Sequence, residues 1–271
     1  MSAVAAPVEH ATRAGSMRVT FPRLLRSEWI KLWTVRSTWW VLPAIVVIQG
    51  GLAWVITHFT IQEMQTAGVG FEITAADVVA GYGFSQLAVC VLAVLTVTGE
   101  YSTGMIRSSL SANPTRVSAL LAKGLVVVAV TFVTGVVAIA LSWAVTYPVL
   151  GEQYRIDLAD SLNQQILIGA PLYLAGIALL AYAIGALLRH SAAALATVLG
   201  LLLVVETIFQ LIPVTFFEAI SPYLPSTAGG RLLQAAVENP ELTPWQGYGV
   251  LVAWGLVALA AAAVLLRGRD A

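Results

Sequence analysis

The side chains that most often carry catalysis or bind metal ions are few in this sequence and lie far apart. The three histidines, His10, His58 and His190, fall in three separate polar segments, which does not favour a zinc site or a catalytic pair. The single cysteine, Cys90, stands in an apolar run, so neither an intrachain disulfide nor a thiolate metal cluster can form. We therefore expect no metal site and no catalytic residue.

The lysines exclude a phosphate-binding loop of the usual kind, which ends in Gly-Lys-Ser or Gly-Lys-Thr. The sequence contains only two lysines, Lys31 and Lys123, and they follow Ile30 and Ala122 rather than glycine. This chain is therefore expected to be non-catalytic and to bind no cofactor. If ATP drives the protein, ATP and Mg must be bound by a separate chain.

The composition indicates a protein whose surface faces lipid. Hydrophobic residues make up 59% of the 271 residues and charged residues only 10%, against about 25% charged residues in a typical soluble domain. The formal net charge is zero, so charge gives no case for nucleic acid as a partner. We predict an all-α membrane protein, with membrane lipid around it.

Six stretches are long and apolar enough to cross a bilayer, since a spanning helix needs about 20 apolar residues. They cover approximately residues 39–58, 78–98, 119–147, 166–188, 191–212 and 245–266. Only Arg189 and His190 separate the fourth from the fifth, which predicts a tight hairpin. The six spans form one domain over residues 38–271, and the polar tail over residues 1–17 is predicted to be disordered.

The basic residues are distributed unequally between the two ends of these spans. Of the 14 lysines and arginines, all but Arg155 and Arg231 lie on the side of the N-terminal segment, the loop after the second span, the hairpin and the C-terminus, with Lys123 just inside the third span. Nine of the 14 acidic residues lie on the opposite side. Because lysine and arginine are retained in the cytoplasm, both termini are predicted to be cytoplasmic.

Residues 18–37 have the periodicity of an amphipathic helix in the membrane interface. Trp29 and Trp33 belong to its apolar half and Lys31 to its basic half, whereas Glu28 falls within the apolar half. A carboxylate that faces lipid without a partner is costly, so we expect Glu28 to face protein, with an arginine of the next loop as a candidate partner. The alternative is a basic anchor that only sets the topology.

The loop over residues 99–118 is too polar for a span and too apolar for a solvated linker. Three apolar residues in it have helical spacing: Met105, Ile106 and Leu110. Asn113-Pro114 marks a helix end, so a short cytoplasmic helix is predicted between Gly104 and Ala112. An ordinary amphipathic loop helix is the alternative to one that binds a partner.

This loop resembles the Glu-aromatic-x-x-Gly-x-x-Arg-x-x-Leu signature of ABC-2 type permeases, the membrane subunits of a class of ATP-driven exporters. The matching residues are Glu100, Tyr101, Gly104, Arg107 and Leu110. Residues 27–32 and 36–38 are similar to the N-terminal helix of actinobacterial members, and the likeness extends over the whole chain. Met105 departs from the family, in which many relatives have Thr or Ser.

The resemblance implies a coupling helix in this loop that docks in a groove of an ABC ATPase subunit. The implied coupling residues are Glu100, Tyr101, Gly104, Met105, Ile106, Arg107 and Leu110. It also implies a dimer with a second copy or a homologous permease, a substrate path between the two bundles, and a bacterial plasma membrane. Arg107 can make bidentate contacts, and Glu100 can pair with a basic residue of the N-terminal helix.

Glu206 is the one acidic residue expected inside a span, and Gln210 shares its helix face. Two roles stand open for Glu206, because acids within spans rarely face lipid. It either lines a translocation path with Gln210 or is a hydrogen-bonded structural acid near the outer end of the fifth span. Residues 213–244, with their prolines and aromatics, are predicted to form short outer helices before the last span.

A membrane protein that works without an ATPase, such as a secondary carrier or an immunity protein, is the alternative function. Carriers typically show inverted repeats and helices broken near the midplane. The two halves of this sequence show no clear repeat.

Overall fold

The computed structural model describes residues 20–68, 73–104, 116–152, 154–234 and 241–268, and within these ranges the chain forms helices and no strands. Six of the described helical segments are long and apolar enough to cross a membrane. They are Arg36–Ala67, Ala75–Ser102, Arg116–Leu150, Ser161–Leu188, Ser191–Leu211 and Pro244–Leu266. The predicted all-α fold with six spans is confirmed, and the predicted tail over residues 1–17 lies outside the described residues.

The helix that precedes the first span, α1, covers Phe21–Thr34 and starts with Pro22 in its first turn, where a missing N–H costs nothing. It ends at Val35, whose backbone is extended, so the chain turns before the first span begins. α1 packs mainly against the third span. We call the end of the bundle that carries α1 the near end, and the opposite end the far end.

The first four spans extend beyond the apolar stretches seen in the sequence, because polar end residues continue the same helices. The second span is broken into Ala75–Val79 and Tyr82–Ser102. Gly81 stands at the break, and a Cβ atom there would lie 2.7 Å from the carbonyl oxygen of Gln49. The third span continues through Pro148 to Leu150, instead of ending at residue 147 as predicted.

The fourth span forms the centre of the bundle. In its most apolar stretch 78% of the residues are buried, against 22% in the fifth and sixth spans. It packs against the second, third and sixth spans, and its Tyr173 and Tyr182 are among the largest fully buried side chains. Any site near its two ends is therefore built on the most deeply buried of the six spans.

The fifth span and the segment after it consist of short pieces. The span is an α-helix over Ser191–Leu199, a π-helix over Gly200–Val205 and a second α-helix over Glu206–Leu211. We label this second α-helix α8, because it is the eighth described α-helix in chain order. Short helices follow at the far end: α9 over Thr215–Ile220, a 3-10 turn over Ser221–Tyr223, α10 over Pro225–Gly230 and a 3-10 turn over Arg231–Leu233. The short helices predicted before the last span are thus present.

Candidate functional site

Four charged side chains at the near end form a closed ring in which acids and lysines alternate. Lys31 Nζ lies 2.7 Å from Glu28 Oε1 and 3.3 Å from Glu100 Oε1. Lys123 Nζ lies 3.3 Å from Glu28 Oε2 and 2.5 Å from Glu100 Oε1. Each carboxylate therefore contacts both lysines, and the ring, which we call the charge ring, has no net charge.

Three elements supply the charge ring. Glu28 and Lys31 are three residues apart on α1 and so share a helix face. Glu100 stands in the last turn of the second span, and Lys123 lies about two turns into the third. The ring thus joins α1 to two spans immediately before the loop that is predicted to bind a partner.

Packing against the fourth span holds the third span, and therefore Lys123, in place. The Tyr182 hydroxyl donates a hydrogen bond to the carbonyl oxygen of Leu120 over 2.7 Å. A Cβ atom on Gly124 would lie 2.8 Å from the Tyr182 ring, so glycine is what allows this close approach. Lys123 stands between these two contacts in the sequence.

The charge ring is mostly withdrawn from solvent. Glu28, Glu100 and Lys123 are 6%, 9% and 7% exposed, and the Lys31 side chain is 33% exposed. Burial lowers the pKa of Lys31, but the hydrogen bond and charge of Glu28, together with Glu100, outweigh burial and raise that pKa above its usual value. Buried charges need such mutual compensation, and removing one partner typically costs about 3–5 kcal/mol.

The charge ring forms the polar wall of a cavity of about 290 Å³. The cavity lies between α1, the start of the first span and the end of the second. Its other walls are mainly apolar side chains and threonine hydroxyls: Leu32, Thr34, Val35, Thr38, Val41, Leu92, Leu95, Thr96 and Thr103. The two lysines and two glutamates thus face a space rather than a fully packed core.

The hairpin between the fourth and fifth spans contacts the end of the second span. The Arg189 guanidinium lies over the Tyr101 ring at 5.3 Å, a distance at which a cation is attracted to the ring face. Ser191 Oγ donates to Thr98 Oγ1 over 2.8 Å. Arg189 reverses the chain in the left-handed region at φ 58°, which makes the hairpin tight, as predicted from its length.

Gly104 is the last described residue before the loop, and its φ of 71° is a conformation that glycine adopts without strain. The predicted coupling residues Met105, Ile106, Arg107 and Leu110 lie outside the described residues, as does the helix predicted there. Of the predicted coupling residues that the structure describes, Glu100 and Tyr101 share a site with α1, the third span and the hairpin.

The tryptophans of α1 lie at its junction with the first span. Trp33 makes edge-on ring contacts with Trp29 and Trp39, with centroids 5.6 and 5.2 Å apart. Trp29 is about half exposed, at 48%, so it is not part of the surface that packs on the bundle. The exception to the amphipathic pattern is thereby explained, since Glu28 is buried and faces Lys123 of the third span.

Glu206 and Gln210 lie at the far end, away from the charge ring. Glu206 is 3% exposed, and its two carboxylate oxygens accept hydrogen bonds from the backbone N–H groups of Ser226 and Thr227, each over 2.7 Å. Gln210 Nε2 donates to Thr227 Oγ1 over 3.0 Å. These contacts favour the structural alternative for Glu206, because the described structure directs its carboxylate at α10.

Sequence reasoning missed two features that the structure reveals. No contact is predicted for Lys123 from the sequence, although a lysine within an apolar run must have a partner, which is a signal that could have revealed the charge ring. The hydrogen bond from the Tyr173 hydroxyl to Gln86 Oε1, 2.5 Å long, joins two spans and had no local signal. Within the described ranges, no three His, Cys, Asp or Glu residues are placed to hold a metal ion.

No protein-family model matches this chain, and no curated protein sequence matches it significantly. The class of this protein is therefore defined by its fold and its near-end site alone. This is a multi-pass α-helical membrane protein in which a buried charge ring connects an amphipathic N-terminal helix to the second and third spans.

Proposed function

We propose that this chain is the permease subunit of an ATP-driven ABC-2 type exporter. The near end faces the cytoplasm of a bacterial cell, as the distribution of lysine and arginine favours. Two permease subunits, identical or homologous, form the substrate path between them. Separate ABC ATPase subunits bind ATP and Mg and dock on the loop after the second span.

The observation that carries this proposal is the position of Glu100. It begins the Glu-aromatic-x-x-Gly-x-x-Arg-x-x-Leu pattern, and it is also held by Lys31 of α1 and Lys123 of the third span. A force applied to the loop reaches Glu100 within a few residues. The charge ring passes it to α1 and to the third span together.

The hairpin adds a further connection. Tyr101 contacts Arg189, and Thr98 contacts Ser191, so displacement of the loop also acts on the fourth and fifth spans. An ATPase that closes on ATP and moves this loop would tilt several spans as one body. This is what a membrane subunit needs if it has no nucleotide site of its own.

The first experiment asks whether an ATPase accompanies the chain. We expect the tagged protein, expressed with its neighbouring genes, to co-purify with an ABC ATPase and to show ATP hydrolysis that orthovanadate inhibits. Purification of the chain alone, with no ATPase encoded beside it, would refute the exporter assignment and favour a carrier or an immunity protein.

The second experiment tests the loop directly. Arg107→Ala should abolish ATPase co-purification while leaving membrane insertion intact, because bidentate contacts of arginine are lost completely on truncation. The matched control is Arg155→Ala, the same chemical change at the far end, which should leave co-purification unchanged. Equal recovery of the ATPase with both variants would refute the proposed docking site.

A further inference from the structure

The two halves of the fifth span are attached to the protein in different ways. The half before the π-helix packs against the second and fourth spans, with Ala194 and Val198 fully buried. In the half after it, α8, the one buried residue is Glu206. The described packing of α8 is chiefly with the π-helix and with the short helices of the far end.

The Glu206 carboxylate makes the main polar attachment of this second half. Oε1 accepts from the Ser226 N–H, and Oε2 accepts both from the Thr227 N–H and from Thr227 Oγ1, the last over 2.8 Å. Hydrogen bonds to a charged group are about twice as strong as neutral ones. Three of them concentrated on one carboxylate make a strong attachment on an otherwise thinly packed helix. We call these three bonds the clasp.

The partner of the clasp, α10, is fixed to the fourth and sixth spans. A Cβ atom on Gly229 would lie 2.6 Å from Leu251, and one on Gly247 would lie 2.2 Å from the Ala228 carbonyl oxygen. The two backbones therefore touch at Gly247, and the Leu251 side chain packs directly on the backbone of α10 at Gly229. Ser226 Oγ also lies 2.9 Å from the hydroxyl of Tyr173, which is fully buried in the fourth span. α10 thus belongs to the rigid core.

The π-helix over Gly200–Val205 ends directly before Glu206. A π-helical segment is rare except as a short insertion in an α-helix, frequently at a functional position, and such insertions are common sites of helix kinks. A Cβ atom on Gly200 would meet nothing within 4 Å, so no described residue packs against that side of the helix where the segment begins. These properties make it the point at which the fifth span bends most easily.

We propose that the far half of the fifth span is a movable arm that bends at the π-helix. The clasp, formed by the three hydrogen bonds of Glu206, holds this arm against α10. Release of the clasp separates α8 from α10 while the near half of the span stays in the bundle. The inference concerns this chain alone, and it does not rest on the proposed partnership with an ATPase.

The experiment measures distances with pairs of spin labels in nanodiscs. Cys90→Ala removes the single cysteine, and new cysteines replace Leu211 on α8 and Trp245 on the sixth span, both well exposed. The clasped protein should give a narrow distance distribution. Glu206→Gln should add a longer-distance population, with the open-to-closed ratio raised at least about tenfold, the factor expected from losing one hydrogen bond to a charged group.

Two controls make the result specific. Glu218→Gln removes an exposed carboxylate from α9 and should leave the distribution unchanged. Thr227→Val removes the hydroxyl that donates to Glu206 and accepts from Gln210, so it should open the arm in part, whereas Thr227→Ser keeps this hydroxyl and should not. The threonine pair provides the test even if Glu206→Gln fails to fold.

A second label pair locates the bend. A cysteine that replaces exposed Ala196, before the π-helix, is paired with the one at Trp245. This distance should stay constant in every clasp variant. If both distances lengthen, the whole span moves and there is no hinge at the π-helix. If neither distance changes in Glu206→Gln or in Thr227→Val, the clasp does not hold the arm.

Discussion

Replacement of Lys123 tests whether the charge ring holds the near end together. Lys123→Met keeps a long unbranched side chain but leaves Glu28 and Glu100 with Lys31 as their only partner in the ring, so its net charge falls to −1. The Lys123 side chain is 9% exposed, and solvent cannot replace the lost ammonium. We expect the variant to lose about 3–5 kcal/mol of stability, the usual cost of breaking a buried ion pair.

Thermal unfolding of the purified protein measures this loss. With the scaling found for soluble proteins of similar size, about 3–5 kcal/mol corresponds to a midpoint lower by roughly 6–20 °C. Lys31→Met is the matched control. It makes the same chemical change in the same ring, but the Lys31 side chain is 33% exposed. Water can therefore solvate the carboxylates on that side of the ring, and the melting midpoint should fall less.

A double variant separates charge compensation from simple packing. Glu100→Gln alone leaves two lysines facing one carboxylate and should also destabilise the protein. Combined with Lys123→Met it restores a neutral ring, so the double variant should be more stable than the sum of the two losses by about 1–3 kcal/mol. Strictly additive losses, or a melting midpoint of Lys123→Met equal to that of the wild type, would refute the compensation argument.

Two further predictions follow from the same structure. The folded-state pKa of Lys31 lies above its ordinary value of 10.5. Its contribution to the free energy of unfolding is therefore complete below pH 10.5 and is lost as the pH rises through the folded-state pKa. The wild-type melting midpoint should therefore fall more steeply than that of Lys31→Met above pH 10.5, and parallel curves would contradict this. Gly247→Ala should destabilise the far end by about 1–3 kcal/mol, because its Cβ would lie 2.2 Å from the Ala228 carbonyl oxygen. Gly249→Ala, two residues along the same helix with nothing within 4 Å of the new atom, should not, and equal melting of the two variants would contradict the packing argument.

The spans and the hairpin could be predicted because they depend on local composition and length alone. A run of about 20 apolar residues can satisfy its backbone in lipid only as a helix, whatever its neighbours are. The same reasoning placed Glu28 against protein, since a lone carboxylate is too costly in lipid. It also predicted that Glu100 would pair with a basic residue of the N-terminal helix, and Lys31 is that residue.

The remaining features depend on which helices become neighbours, and the sequence holds no local signal for that. An arginine was expected beside Glu28, whereas its ion-pair partners in the described part of the chain are lysines, one of them on the third span. The break at Gly81 follows from the close approach of Gln49 on the first span. The π-helix before Glu206 has no hydrophobic period that distinguishes it from the α-helices on either side.

The fourth span connects the two ends of the molecule through its two buried tyrosines. Tyr182 fixes the backbone of the third span next to Lys123, and Tyr173 contacts α10 next to the clasp. Both hydroxyls bond to groups on other elements, so the span serves as a common support for the charge ring and the clasp. Because this support is the most buried element, motion at either end should fall on the elements held at the edges, α1 and the far half of the fifth span. α1 adds the buried Leu32 to its part in the charge ring, whereas a buried glutamate, rather than a large apolar contact, attaches the far half of the fifth span. Such an attachment can be released without unpacking the core, which is what a protein that changes shape within a membrane requires.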